Sequence, residues 1–341
     1  MSNISPDALQ RLKLLVENHL PEARWTLGGV FRFDTHILTM LAYMHMYFPP
    51  RQLARVAGTL PGAWSLDMYS PRPMMSIQAV VERYQAYANE KVGIVLVFDN
   101  PVPPAESLKD EYAHHVVQLL FQKENNPTGQ NAVCVASDTL AAIIRERCPH
   151  AKIMCHPNRS IVSTAKRTSA YYAQLEGLYD EIILHPRDAV TPSVFTQIKR
   201  NGVYGAVVND PMPRNFPTRR ELLNLLAEIR RRPYDYELRL HKERMLSRFD
   251  AFTWENTNNL TMDEEKRLYE HGIRSFIIQA YMFRNELTLL WDMFYHLLRT
   301  EPEFSNKAAL VVSAALSYIR ENPDRLASGT HLFSFPDPAT I

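Results

Sequence analysis

Cysteine is scarce in this chain, charge of either sign is not in surplus, and no apolar run is long enough to span a bilayer. Three cysteines, an odd number without paired spacing, exclude a disulfide framework. The 38 Lys and Arg residues against 37 Asp and Glu leave a net charge of +1. No global electrostatic reason therefore exists to hold nucleic acid or an acidic membrane surface. No segment approaches the roughly 18 consecutive apolar residues of a membrane helix. Met1 to Pro21 carries charges throughout and has no apolar run for a secretory leader, so a cytoplasmic location with no membrane partner is expected. A Gly-x-Gly-x-x-Gly turn is also missing, which counts against an open dinucleotide-binding sheet.

What is present is a rhythm of short apolar runs and amphipathic stretches. With 46% hydrophobic and 22% charged residues, the chain can bury a large core. Val92 to Phe98, Ala132 to Ala136, Lys152 to Cys155, Glu181 to Leu184, Tyr204 to Val208 and Ser275 to Ile278 are β-rich and continuous, the pattern of strands buried on both faces. Helix-period segments alternate with them: Glu106 to Phe121, Thr139 to Arg147, Ser163 to Leu175, Thr191 to Arg200, Thr218 to Arg231 and Met262 to His271. Thr218 with Glu221 reads as a capping box. Such alternation predicts an α/β chain built as a (β/α)8 TIM-like barrel, with extra N- and C-terminal helices and some distortion. Gly29 to Phe33 is the best candidate for the first strand, with Trp64 to Met68 next. Residues 1–323 read as one barrel domain with an N-terminal helix. Ser305 to Asn322 reads as its closing helix, and 324–341 as a C-terminal tail.

The segment Val207 to Arg219 reads as a metal-cluster motif from which the ligands have gone. Together with Ala136-Ser137-Asp138, the helix ending at Cys148-Pro149, Gly177 to Leu184 and Leu260 to Tyr281, it resembles the peptidase U32 family over about 200 residues. The resemblance implies a barrel protein of a family associated with RNA or quinone hydroxylation. The family pattern, close to Asn-x-x-Cys-x-x-x-Cys-Pro-x-Arg, stands here as Asn209, Met212, Phe216, Pro217 and Arg219. Neither a thioether nor a phenyl ring replaces a thiolate on iron, so an iron–sulfur cluster is not expected. Cys134, Cys148 and Cys155 do not rebuild it and read as small buried hydrophobes. Neither Ser137 nor Ser160 sits in a nucleophile elbow, so peptidase chemistry has no support.

In a barrel, function gathers where strands end and βα loops begin. The residues there are Arg32 and Asp34; Asp67 and Arg72; Asp99 and Asn100; Ser137 and Asp138; His156, Asn158 and Arg159; His185 and Arg187; Asn209 and Asp210; Glu255 and Asn256; and Gln279. His156-Pro157 and His185-Pro186 follow adjacent strands at equivalent places. With Asp99, Asp138, Asp210 or Glu255, the two histidines suit either a divalent metal with N and O ligands or metal-free acid–base catalysis. The bland alternative is that each histidine only bonds a loop. Arg159, Arg187 and Arg214, joined by Asn100, Asn209 and Gln279, point to binding of a small anionic substrate; the alternative is surface salt bridges.

Arg219-Arg220 and Arg230-Arg231-Arg232 read either as a basic face for RNA or as solvated helix ends. His114-His115 reads as structural. Met40, Met44, Met46, Met74 and Met75 with Tyr43, Tyr47 and Phe48 read as helix core, or as a homodimer contact. Three functional classes remain. The favoured one is a small-molecule enzyme of a specialised biosynthetic pathway, a cluster-free relative of the U32 barrels. The others are an RNA-associated protein and a binding or scaffold subunit without a catalytic centre.

Overall fold

The computed structural model describes residues 20–34, 37–38, 41, 53–66, 74–198, 203–210, 212, 218–246, 258–280, 292 and 296. The wall strands are β1 (Arg24–Val30), β2 (Leu53–Gly58), β3 (Gly93–Phe98), β4 (Ala132–Val135), β5 (Ile153–Cys155), β6 (Glu181–Ile183) and β7 (Tyr204–Val207). Beyond a short antiparallel ribbon, β8 (Asn209–Asp210) with β9 (Asn258–Asn259), comes β10 (Ser275–Ile278). Each wall strand pairs in parallel with its neighbours, and β10 joins β7 to β1, closing a barrel of eight. The helices are α1 (Ile77–Asn89), α2 (Glu111–Leu120), α3 (Asp138–Arg147), α4 (Pro157–Val162), α5 (Ser169–Leu175), α6 (Pro186–Ala189), α7 (Pro192–Phe195), α8 (Arg219–Arg231), α9 (Tyr236–Leu246) and α10 (Met262–Glu270). No helix among the described residues is long and apolar enough to cross a membrane.

Continuous apolar strands make two cores here. Trp25, Leu27, Val56, Ile94, Leu96, Val133, Ile153, Ile182 and Phe276 face outward to the helices. The alternate residues, Ala57, Val95, Cys134, Met154, Ile183, Val207 and Ile277, fill the inside. Trp25 stacks on Phe276 at 5.1 Å across the closing seam. Ser76, Asp110, Ser137 and Thr168 each accept a backbone N–H at the start of α1, α2, α3 and α5, satisfying donors that a helix terminus leaves open.

The strand bottoms are plugged by charge. Arg55 on β2 donates to Glu181 on β6 at 3.0 Å, and in the order of the sheet these strands stand opposite each other. Ser275 also donates to Glu181, and Lys152 lies 3.4 Å from it. Burial pushes the Glu181 carboxyl up, but the two cations and the hydroxyl outweigh it and hold it below its ordinary value.

Several expectations are corrected. The first strand is Arg24–Val30, so Gly29 to Phe33 was placed too late in the chain; Trp64 to Met68 is no strand as far as Leu66, where the described stretch ends. Trp64 instead seats its ring edge-on to Phe98 and His114, with its indole N–H on the Ser107 carbonyl. β2 was not anticipated, because Arg55 breaks its apolar run. Thr218 makes no capping hydrogen bond: its ψ of 8° is not the extended conformation a capping hydroxyl needs. The capping box occurs at Thr261 with Glu264. Ser163 to Leu175 is helical from Ser169, and Thr191 to Arg200 supplies the short α7. The N-terminal helix, the Ser305 to Asn322 helix and the tail lie outside the described residues, as do Met40, Met44, Met46, Tyr43, Tyr47 and Phe48.

Candidate active site

The upper half of the barrel is hollow on one side. Gly28, Ala57, Gly58, Thr59 and Cys134 leave room for a small cavity that is partly open to solvent. Thr26, Val95, Val97, Met154, His156, Ile183, Ile277 and Gln279 complete much of its lining. Barrel interiors are ordinarily filled by branched side chains, so the small residues of β1, β2 and β4 explain the space. A second small cavity lies beside it, lined by Pro157, Asn158, Ile161, Pro186, Val207, Asp210, Met212, Arg219, Leu223 and Gln279. Pro157 and Gln279 belong to both linings.

The two His-Pro steps adopt one local design. Each proline is the first residue of a short helix, and each histidine is its extended N-cap. His156 Nδ1 accepts from the Asn158 N–H at 3.2 Å, and His185 Nδ1 from the Arg187 N–H at 3.0 Å. An Nδ1 that accepts leaves the ring proton on Nε2. Burial drives the His156 pKa down to about 3. Burial also drives His185 well below its ordinary value, aided by Arg167, Arg219 and Arg187. Both rings are therefore neutral hydrogen-bond donors at neutral pH.

They do not share one cavity. β6 contributes Ile183 to the barrel cavity that His156 lines, and His185 lies two residues further on, outside that lining. In the metal site expected at His156 and His185, each Nδ1 is engaged by its helix cap. Among the described residues, no group of three or more His, Cys, Asp or Glu is placed to hold a metal ion.

The carboxylates and arginines are divided by their partners. Asp138 accepts a two-point bond from Arg159, at 3.1 and 2.9 Å, and a third from the Tyr179 hydroxyl. Burial raises the Asp138 pKa, but Arg159 and Tyr179 outweigh it and hold it below the usual value. This pair, read from sequence as a catalytic acid and a substrate-binding cation, is a clamp between α3 and α4. Asp210 accepts from Arg219 and from the Met212 N–H, and all three residues are buried. Asn209 grips both the N–H and the carbonyl of Gln279 and donates to Asp292. Asn100 accepts from the Val102 N–H in its own loop and donates to the Ala63 carbonyl in the loop after β2. Asp138, Arg159, Asn209 and Asn100 thus make bonds that hold the mouth in shape. Glu255, Asn256, Arg214, Asp67 and Arg72 lie outside the described residues.

Three expected residues stand apart from these clamps. Asp99 is fully buried, accepts from the Leu66 N–H at 2.8 Å, and has its pKa pushed up by burial to about 7. Arg187 is exposed and pairs with no carboxylate among the described residues. Gln279 lines both cavities. Sequence reading missed Thr59, which follows the unread β2. It also missed Arg167 and Tyr172, which fasten Asp188 beneath His185.

Met212 is buried with Leu66, Ile161, Leu222, Leu223 and Leu226, so the first cysteine position of the U32 pattern is here a packing position. Phe216 and Tyr281 lie outside the described residues. Arg219 is buried against Asp210, while Arg231 and Arg232 pair with Glu228, so Arg219 to Arg232 is not one continuous basic groove. His114, with its ring nitrogen at the Leu108 carbonyl, is structural.

The closed barrel of eight parallel strands is a TIM-like β/α architecture. No family model matches the chain, and no curated protein does. Among solved structures it is similar to a U32 peptidase at 13% identity, covering 75% of this chain and 91% of that one, with a TM-score of 0.45. It is also similar to a protein named as a glycerophosphodiester phosphodiesterase from Galdieria sulphuraria at 11% identity, covering 78% and 97%, with a TM-score of 0.39.

Proposed function

We propose that the chain is a small-molecule enzyme that works at the C-terminal mouth of its barrel on a small anionic substrate. The observation that carries this reading is the apolar-walled cavity opening at the strand ends, with the neutral imidazole of His156 in its lining. In such a site the substrate's apolar part enters the barrel and its charged head stays outside, toward the loops that follow the strands; Arg187, in the short helix after β6, is unpaired among the described residues and is the candidate to meet it. A neutral imidazole is a poor base, because its acceptor nitrogen is engaged. It serves as a donor to negative charge that develops on a carbonyl oxygen, inside an environment that strengthens the bond.

The reading is tested with a panel of small carboxylates and phosphate monoesters, from lactate and isocaproate to glycerol phosphate, followed by calorimetry. Binding to the wild type that weakens about tenfold in Arg187→Ala supports it, the loss of one charge-assisted contact. Failure of every anion to bind, or equal binding by the variant, sinks the anionic substrate.

A further inference from the structure

We infer that the barrel cavity selects a short branched aliphatic compound bearing a hydroxyl or amino group, and that Gln279 and Thr59 set this preference. The inference deepens the reading of the mouth given above and rests on it.

The walls are almost wholly carbon, from Ala57, Val95, Val97, Met154, Ile183 and Ile277, so they accept an aliphatic body. Four polar side chains interrupt them, Thr26, His156, Thr59 and Gln279, and the last two bear on the choice of ligand. Gln279 is 8% exposed and Thr59 1%. Gln279 Oε1 and Thr59 Oγ1 each lack a hydrogen-bond partner among the described residues. Asn209 holds the Gln279 backbone by both its N–H and its carbonyl, which fixes the residue from behind while its carboxamide is left to the cavity. Thr59 follows directly on β2, whose Gly58 packs too closely on Val30 to admit a side chain, so its position is fixed in the same way. A carbonyl oxygen buried without a donor is costly, and water or a ligand must satisfy it. A purely apolar ligand would seal Oε1 dry and be penalised; a ligand with a donor at that place relieves the penalty and is selected. A carboxylate on the same ligand points out of the barrel toward the rim.

The test compares two matched pairs of probes by calorimetry: α-hydroxyisocaproate against isocaproate, and isoamyl alcohol against isoamyl methyl ether. Methionine labelled at its methyl carbon reports the Met154 signal by NMR, identified with Met154→Leu, and locates binding inside the barrel. In the wild type the hydroxyl partner of each pair is expected to bind about tenfold tighter, the worth of one satisfied hydrogen bond. The ratio is expected to fall to about one in Gln279→Leu. Thr59→Val, nearly isosteric, carries the same comparison if Gln279→Leu does not fold. A hydroxyl without advantage in the wild type, or an advantage that survives in both variants, overturns the inference. Preference for the alcohol with neither acid bound supports it and sinks the anionic substrate instead. Acids that bind equally well, through Arg187, do the reverse. If no probe binds, both fall.

Discussion

His156 and His185 show how much chemistry one hydrogen bond removes. An imidazole followed by proline looks from sequence like a free base at a strand end, and both residues do stand at strand ends. Their Nδ1 atoms, however, cap α4 and α6, a use of histidine that no spacing rule announces. Burial then keeps both rings neutral. Their folded pKa values lie below the unfolded value of about 6.5, so the unfolded chain gains protons first on acidification. Stability is full above that pH and is lost as pH falls toward about 3 for His156. His156→Asn keeps a capping oxygen and removes the titration. Urea melts at pH 7 and pH 5 should show the variant losing about 2 kcal/mol less than the wild type between them. Parallel losses would mean that His156 takes up its proton without cost. Arg159 and Asp138 teach the complementary lesson: 21 residues apart, they were read separately, and only the fold makes them partners.

Among the elements, the strands that sequence revealed are those with unbroken β-branched runs, such as β3 and β10. β1 was placed late and β2 was not seen. Both departures have physical causes: Gly28 and Gly29 interrupt β1, and Arg55 puts a charge in the middle of β2. The glycines are there because the strands crowd. A Cβ at Gly58 would stand 2.3 Å from the Val30 carbonyl oxygen, next to the register shift between β1 and β2. Gly129 has a φ of +67° but open space around it. Gly58→Ala should therefore cost about 3 kcal/mol or more, an overpacking penalty against backbone that cannot move aside. Gly129→Ala should cost about 1 kcal/mol from conformation alone. Comparable denaturant midpoints for the two variants would contradict this account of the β1–β2 seam.

Across the whole molecule, the closed parallel barrel was legible because alternation of strands and helices leaves few other arrangements. The Arg55–Glu181 bond was not, since 126 residues separate partners that only closure sets face to face. Arg55→Met leaves a buried carboxylate with a weaker partner and should cost about 3–5 kcal/mol, while adding Glu181→Leu should restore most of it. A double variant no more stable than the single one would show that the bond itself, rather than the stranded charge, carries the energy. The same crossbar decides traffic. With the lower end stoppered by ion pairs and the upper end open, the barrel is a cup, and whatever enters must leave by the route it came.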